Sequence, residues 1–427
     1  MSAQPASQRR RGWCPGVRRP MATGDGLLVR LHPFAGRLTA HQARLVAEAA
    51  REYGNGHLDI TARGNLQVRG VSEATYPDLL AILDREGLTE PEGDGPNRLV
   101  TVSPLAGLDP CDRFDTLALA EAIERSCASL EYLPAKFFVA IDGGGSMPLD
   151  AIGADLLLTA GENDTVVFGT PSGGIGACPL SDAPDAAHAI LSGFAEMRRT
   201  GRTEARRLRD LEPHLVQGLA ASAALLPATA VPKRPAAPRV GILALAGDHA
   251  VLLALPFGRC GAAPLMQAAQ WSERFGTGAI RLSFTRGLLL PGIADKHVPA
   301  LLAEAAQAGF ITDAQDPRLS LIACPGKPDC ASASTPAPAD ALRLAAACGD
   351  LARSAMLHVS GCPKGCAHPG SADLTLVGRP DGRYDVVCNG SASDISSLHL
   401  SLDEIMTRLL PAKTSADLRR AFPERRR

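Results

Sequence analysis

Four cysteines near the C-terminus offer the most readable chemistry in the chain. The stretch HVSGCPKGCAHPG, residues 358–370, places Cys362 and Cys366 with three residues between them, and ACPGKPDCAS upstream places Cys324 and Cys330 with five between them. Four thiolates in two close pairs match the ligand demand of a [4Fe-4S] cube, in which each iron takes one cysteine and the loops must approach closely. Pro325, Gly326, Pro363 and Gly365 supply loops without bulky side chains. A structural zinc site is the alternative; its pairs are usually roughly two to four residues apart, so the wider gap suits it less well. Cys14, Cys111, Cys127, Cys178, Cys260, Cys348 and Cys388 have no paired spacing and read, as a class, as small buried hydrophobes.

The rest of the composition narrows the setting. The 427 residues carry 44 basic and 45 acidic side chains, a formal net charge of −1, so nothing draws the whole molecule to nucleic acid or a lipid surface and any anion binding must be local. The N-terminal MSAQPASQRRRGWCPG has no apolar run behind its arginines, so a secretory signal is not expected. Pro227 and Asp248-His249 interrupt the longest apolar stretches, which excludes both as membrane spans. Eleven cysteines, an odd number, then point to a reducing compartment, the cytoplasm, where clustered thiols serve as metal ligands rather than disulfides.

The elements that must position these residues show an α+β pattern. GDGLLVRLHPF reads as a strand feeding the helix TAHQARLVAEAAREY, in which Leu45, Val46, Ala49, Ala50 and Tyr53 keep helical spacing and Thr39 with Gln42 forms a capping box. LDITARGNLQVRGV alternates and reads as strand. A short helix is expected over roughly 75–86, a strand at RLVTVS, a helix over about 115–130, then the strand KFFVAID and the turn GGGS. The same order recurs: QAAQWSERFGTGAIRLSFTRGLLLPGI lies over RLVAEAAREYGNGHLDITARGNLQVRGV, with Gly54 and Gly56 against Gly276 and Gly278, and Arg63-Gly64 against Arg286-Gly287. Such a repeat predicts two similar halves about a pseudo-twofold axis with a site between them, unless two α+β units merely share common turns. The expected boundaries are an N-terminal arm over 1–23, an N-terminal half over 24–220, a Pro/Ala-rich linker over 221–239 and a C-terminal half over 240–427 that carries the four cysteines.

The paired cysteines, the repeated halves and TARGNLQVRG together resemble the sulfite and nitrite reductase family, over about residues 24–378. The resemblance implies a duplicated architecture of ferredoxin-like half-domain pairs around a central cleft. It also implies a 4Fe-4S cluster on Cys324, Cys330, Cys362 and Cys366, with Cys366 in the position that bridges cluster and sirohaem iron. Within the family, SGCPKGCAHP, FVAIDGGGS and the modest length are most similar to the monooxygenase branch of aerobic cobalamin biosynthesis. That branch implies precorrin-3A and dioxygen as substrates, with hydroxylation and γ-lactone formation. It further implies NADH as reductant by way of an electron donor protein, and a mononuclear non-haem iron without assignable ligands.

A tetrapyrrole with many acetate and propionate groups needs fixed cations, and the planar fork of arginine suits carboxylates. Arg63 and Arg69 leave TARGNLQVRG with even spacing, on one face of the expected strand. By resemblance Arg63 matches the arginine of the reductases' Thr-Thr-Arg-Gln motif, Arg98 in PNRLVT matches their Asn-Arg motif, and Lys136 in LPAKFFVAID matches the first lysine of their Lys-x-Lys pair. Phe138 stands where the second lysine should be, which weakens the site for a small multiply charged oxyanion and favours dioxygen and a large organic substrate. Without the resemblance these are a solvated strand arginine and a surface lysine. Two other functions stay open: a sirohaem-dependent sulfite or nitrite reductase, and a non-catalytic iron-sulfur or zinc module that binds a partner. His368 reads as a hydrogen-bonded structural histidine, SGGIGAC as a turn, and WCPG carries no assigned chemistry.

Overall fold

The computed structural model describes residues 13–92, 95–228 and 233–423. Strands Gly26–Leu31, His57–Ile60 and Leu66–Val71 pair antiparallel behind helix Ala40–Tyr53. The helix begins where the sequence places it: Gln42 N–H donates to Thr39 Oγ1 at 3.1 Å, and Thr39 N–H donates to the Gln42 side chain at 3.1 Å. The buried helix residues Ala43, Val46, Ala47 and Ala50 meet Val29, Leu31, Leu58 and Val68 of the strands, so helical period and strand alternation meet in one core.

The second copy repeats this unit with strands His249–Ala254, Ala279–Ser283 and Gly287–Ile293 behind helix Ala262–Phe275. The two copies exchange their edges. Arg37–Thr39 pairs with Ala279–Ser283, and Arg259–Gly261 pairs with His57–Ile60. Each of these sheets therefore takes its fifth strand from the other half, and a single hydrophobic core holds residues of both.

The remaining two five-stranded sheets share a topology of three parallel strands followed by two antiparallel ones. One runs Val100–Val102, Val139–Asp142, Leu156–Ala160, Thr165–Thr170 and Gly173–Pro179 beneath helices Thr116–Ser126 and Ala183–Arg199. The other runs Leu321–Ala323, Leu357–Ser360, Ala372–Gly378, Tyr384–Gly390 and His399–Leu400 beneath Ala337–Ala347 and Leu402–Leu409. The duplication thus extends beyond the segment in which the repeat is visible in sequence. Among the described residues no helix is long and apolar enough to cross a membrane.

Local structure differs from the sequence reading at two points. LDITARGNLQVRGV is a hairpin rather than one strand, because the chain turns at residues 61–65, where Gly64 N–H donates to Thr61 O at 3.0 Å. Arg63 therefore lies in the turn and does not share a strand face with Arg69. In the second copy Arg286 N–H donates to Ser283 O, and Gly64 and Arg286 have the same φ of 66°. Arg286 is thus the counterpart of Gly64, one position away from the sequence alignment.

Candidate active site

Both cysteine pairs lie in loops that leave the C-terminal ends of parallel strands, the usual end for ligand loops in such sheets. Cys324 follows Leu321–Ala323, and Cys362 and Cys366 follow Leu357–Ser360. The loops are packed too closely for side chains. A Cβ on Gly326 (φ 65°) would sit 2.5 Å from Ala337 N, and one on Gly365 (φ 57°) would sit 2.9 Å from Ala392 Cβ. Gly361 N–H donates to Cys324 Sγ at 3.1 Å, so an amide already faces this sulfur. Burial, and then the nearby thiols of Cys362, Cys324 and Cys330, pushes the Cys366 thiol up, so the four sulfurs share one neighbourhood. The spacing of the first pair, with five residues between Cys324 and Cys330, is wider than the roughly two to four usual for structural zinc. A cube instead takes one thiolate per iron and spreads its ligands wider, so this donor set fits it.

An ion network fixes the first loop to the other half of the molecule. Arg259 donates to Asp59 Oδ1 at 2.7 Å and to Asp329 Oδ2, one residue before Cys330, at 2.7 Å. Arg69 donates to Asp25 Oδ2 at 3.0 Å and to Asp25 Oδ1 at 2.7 Å, with both side chains buried. Arg69 is therefore a structural cation.

The three cations singled out from sequence do come together. Arg63, Arg98 and Lys136 line a cavity of about 290 Å³ with Arg30, His32, Cys14, Asn65, Asn97, Phe138 and Phe284. Arg63 lies over the Phe138 ring, 3.9 Å from its centroid, and donates to Lys136 O at 3.1 Å. Arg98 donates to His32 O at 3.2 Å, and Arg30 donates to Gln67 Oε1 at 2.8 Å. Among the described residues none of Arg30, Arg63, Arg98 or Lys136 pairs with a carboxylate, whereas Arg207, 6.0 Å from the centroid of the Phe138 ring, is paired with Asp155 at 2.6 Å. The electrostatics record this crowding. Burial, then Arg207, holds Arg63 down at about 10. Burial also lowers Arg30, and burial followed by Arg30, Arg98 and Arg63 lowers His32 to about 3, so His32 is neutral at physiological pH. Phe284 lines the cavity, and two residues on Arg286 donates to Ala367 O of the second cysteine loop at 3.1 Å.

Several residues of the cavity were not legible as site residues. Arg30 in strand Gly26–Leu31 and His32 just beyond its end alternate with the core residues Val29 and Leu31, so two polar residues at period two along an otherwise apolar stretch are the signal that marks them. Cys14, read as a buried hydrophobe, instead lines the cavity, and its Sγ accepts from Arg30 at 3.2 Å. Cys111 is exposed, which also departs from that reading, while Cys127, Cys178 and Cys348 are buried. His368 makes the expected hydrogen bond, Nε2 to Ser371 O at 3.1 Å. The glycines of SGGIGAC lie in strand Gly173–Pro179, with a bulge between Gly174 and Gly176.

Edge-exchanged ferredoxin-like units, two further duplicated sheets, a basic cavity and two paired-cysteine loops define the class. A model of the "Nitrite/Sulfite reductase ferredoxin-like half domain" matches residues 19–86 and 245–308, the two exchanged units. The chain belongs to the nitrite and sulfite reductase family. Within it, a precorrin-3B synthase from Sinorhizobium sp is 36% identical over 408 residues, covering 91% of this chain and 85% of that protein. A ferredoxin–nitrite reductase from Synechococcus elongatus is 30% identical over 418 residues, covering 88% and 81%. The solved structure of the Mycobacterium tuberculosis NirA protein has the same fold, with a TM-score of 0.72 over 93% of this chain and 82% of that one at 22% identity.

Proposed function

We propose that the protein is a precorrin-3B synthase, a cytoplasmic monooxygenase that converts precorrin-3A to precorrin-3B. One atom of dioxygen enters the substrate as a hydroxyl at the meso carbon between rings A and D. The other leaves as water with two electrons and two protons, and the ring A acetate closes a γ-lactone. The observation that carries this reading is the cavity itself: Arg30, Arg63 and Arg98 crowd together without carboxylate partners, and Phe138 fills the place of a second lysine beneath Arg63. Such a site suits carboxylates on a large apolar frame better than a small oxyanion, which needs charge on every side.

In this reading Arg63, Arg98 and Lys136 bind peripheral carboxylates, with Arg30 behind them, and neutral His32 offers a hydrogen bond without adding repulsion. At about 290 Å³ the cavity holds one carboxylate-bearing edge of the macrocycle rather than the whole of it. A cluster on Cys324, Cys330, Cys362 and Cys366 would supply one-electron transfer. The electrons come from NADH through a partner protein, in line with the ferredoxin named for the nitrite reductase relative. Among the described residues no ligand set for a mononuclear iron converges, and no step is assigned to one.

The 30% identity to a ferredoxin–nitrite reductase favours a second reading, a sirohaem-dependent reductase whose tetrapyrrole is resident rather than substrate. The visible spectrum of anaerobically purified protein separates the two. Broad brown cluster absorption that gains tetrapyrrole bands only on adding precorrin-3A supports the synthase, and strong tetrapyrrole bands in the protein as purified support the reductase.

A further inference from the structure

Beneath the second cysteine loop lies an imidazole with nothing to bond. His358 is fully buried, and neither Nδ1 nor Nε2 has a hydrogen-bond partner among the described residues. Its strand, Leu357–Ser360, sends Leu357 and Val359 into the helix-covered core, which turns His358 and Ser360 to the opposite face. The chain then folds back over that face. A Cβ on Gly365 would sit 3.9 Å from His358 Cε1, and the His368 ring lies edge-on at 5.7 Å. Polar neighbours that could have satisfied the ring are engaged elsewhere: Thr375 donates to Gly390 O at 2.7 Å, Ser360 to Cys362 O at 2.8 Å, and His368 bonds Ser371 O.

The duplicated fold supplies an internal comparison. In the sheet that does not carry the paired cysteine loops Val100 pairs with Val139, as Leu321 pairs with Leu357, so the counterpart of His358 is Ala140. Ala140 sits in an apolar cluster with Phe138, Leu149 and Ala154. The imidazole therefore occurs only in the copy whose next loop carries Cys362 and Cys366. A buried polar group left without a partner is unfavourable unless something absent from the chain bonds it.

We propose that His358 donates an N–H hydrogen bond to a sulfur of the cluster held by Cys362 and Cys366, and thereby raises the cluster's reduction potential. The inference rests on the cluster reading above. A donor to sulfur stabilises the reduced, more negative state, and hydrogen bonds to sulfur are one of the means by which proteins set cluster potentials. Burial holds the imidazole neutral, down at about 4, so one ring nitrogen keeps a proton to donate at neutral pH and the other does not.

The test uses full-length protein with reconstituted cluster. Iron and sulfide content is measured first, and a chain that takes up no cluster overturns both the cysteine assignment and this inference. The potential is then read by titration of the EPR signal of the reduced cluster in wild type, His358→Leu and His358→Gln. Loss of the donor in His358→Leu should lower the one-electron equilibrium constant tenfold or more, about 59 mV, whereas His358→Gln, which keeps an N–H, should recover most of it. An unchanged potential in a cluster-loaded His358→Leu protein overturns the proposal. If that variant does not hold the cluster, pulsed EPR of His368→Gln protein labelled with 15N-histidine decides. A nitrogen coupling to the reduced cluster supports the bond, and no coupling overturns it.

Discussion

Replacing Arg63 by methionine should leave the folded chain about as stable as before while weakening ligand binding tenfold or more. In the folded protein burial, then Arg207, depresses Arg63 from its ordinary value to about 10. Each pH unit of such displacement corresponds to about 1.4 kcal/mol, so keeping this guanidinium charged in the cavity costs about 3 kcal/mol. The sign follows from linkage. At pH 7 Arg63 is protonated in both folded and unfolded chains, so the penalty is fully present there and is relieved only as pH rises through about 10. Against it stand the stacking on Phe138, worth about 0.5 to 2 kcal/mol, and the hydrogen bond to Lys136 O, worth about 1.5 to 3. These terms nearly cancel, and Arg63→Met should shift unfolding stability by no more than about 1 kcal/mol. The charge-assisted hydrogen bond from Arg63 to a substrate carboxylate has no such offset, and without it binding should weaken about tenfold or more. Arg69, in the same hairpin, is the control. Its buried pair with Asp25 means that Arg69→Met should cost about 3 to 5 kcal/mol. Urea unfolding at pH 7 and anaerobic titration with precorrin-3A measure both quantities. Destabilisation of Arg63→Met beyond about 3 kcal/mol with unchanged affinity would refute the reasoning.

Other consequences are as specific. Alanine at any one of Cys324, Cys330, Cys362 or Cys366 should abolish or destabilise the cluster, and four variants with wild-type iron and sulfide content would contradict the assignment. With Phe138 in place of a second lysine, reduced viologen should support no sulfite or nitrite reduction in the range of about 1 to 1000 turnovers per second typical of enzymes. Below its ordinary 6.5 the His32 of the unfolded chain takes up a proton that the folded chain refuses down to about 3, so stability falls on acidification. Between pH 6.5 and 5 the loss is about 2 kcal/mol, and His32→Gln should remove it in urea unfolding followed across that range. Asp329→Asn frees the Arg259 latch one residue from Cys330 and should speed cluster loss to a chelator; an unchanged rate would leave the latch without a role.

The sequence carried the fold where local rules and global packing agree. The Thr39–Gln42 box starts its helix as expected, because the residues that cap it are adjacent in the chain. Edge exchange was not legible, since pairing of Arg37–Thr39 with Ala279–Ser283 joins strands more than 200 residues apart and leaves no periodic mark. The hairpin at residues 61–65 was hidden by continuous alternation across its turn. Arg63, Arg98 and Lys136 were identified through family motifs, and the cavity brings them together. Arg30, His32 and Cys14 belong to no such motif, and only three-dimensional convergence sets them beside the others. His358 was obscured by its neighbours in the cysteine motif, because its orphaned nitrogens are a property of packing and not of spacing.

The central claim is that this cavity handles a tetrapyrrole as substrate. The most direct test incubates cluster-loaded protein with precorrin-3A, a reducing system and 18O-labelled dioxygen, and follows the tetrapyrrole by mass spectrometry. A product that gains one labelled oxygen atom, formed in wild type and strongly diminished in Arg98→Ala, is the predicted result. Precorrin-3A recovered unchanged, together with resident sirohaem and brisk reduction of sulfite or nitrite, would contradict the account.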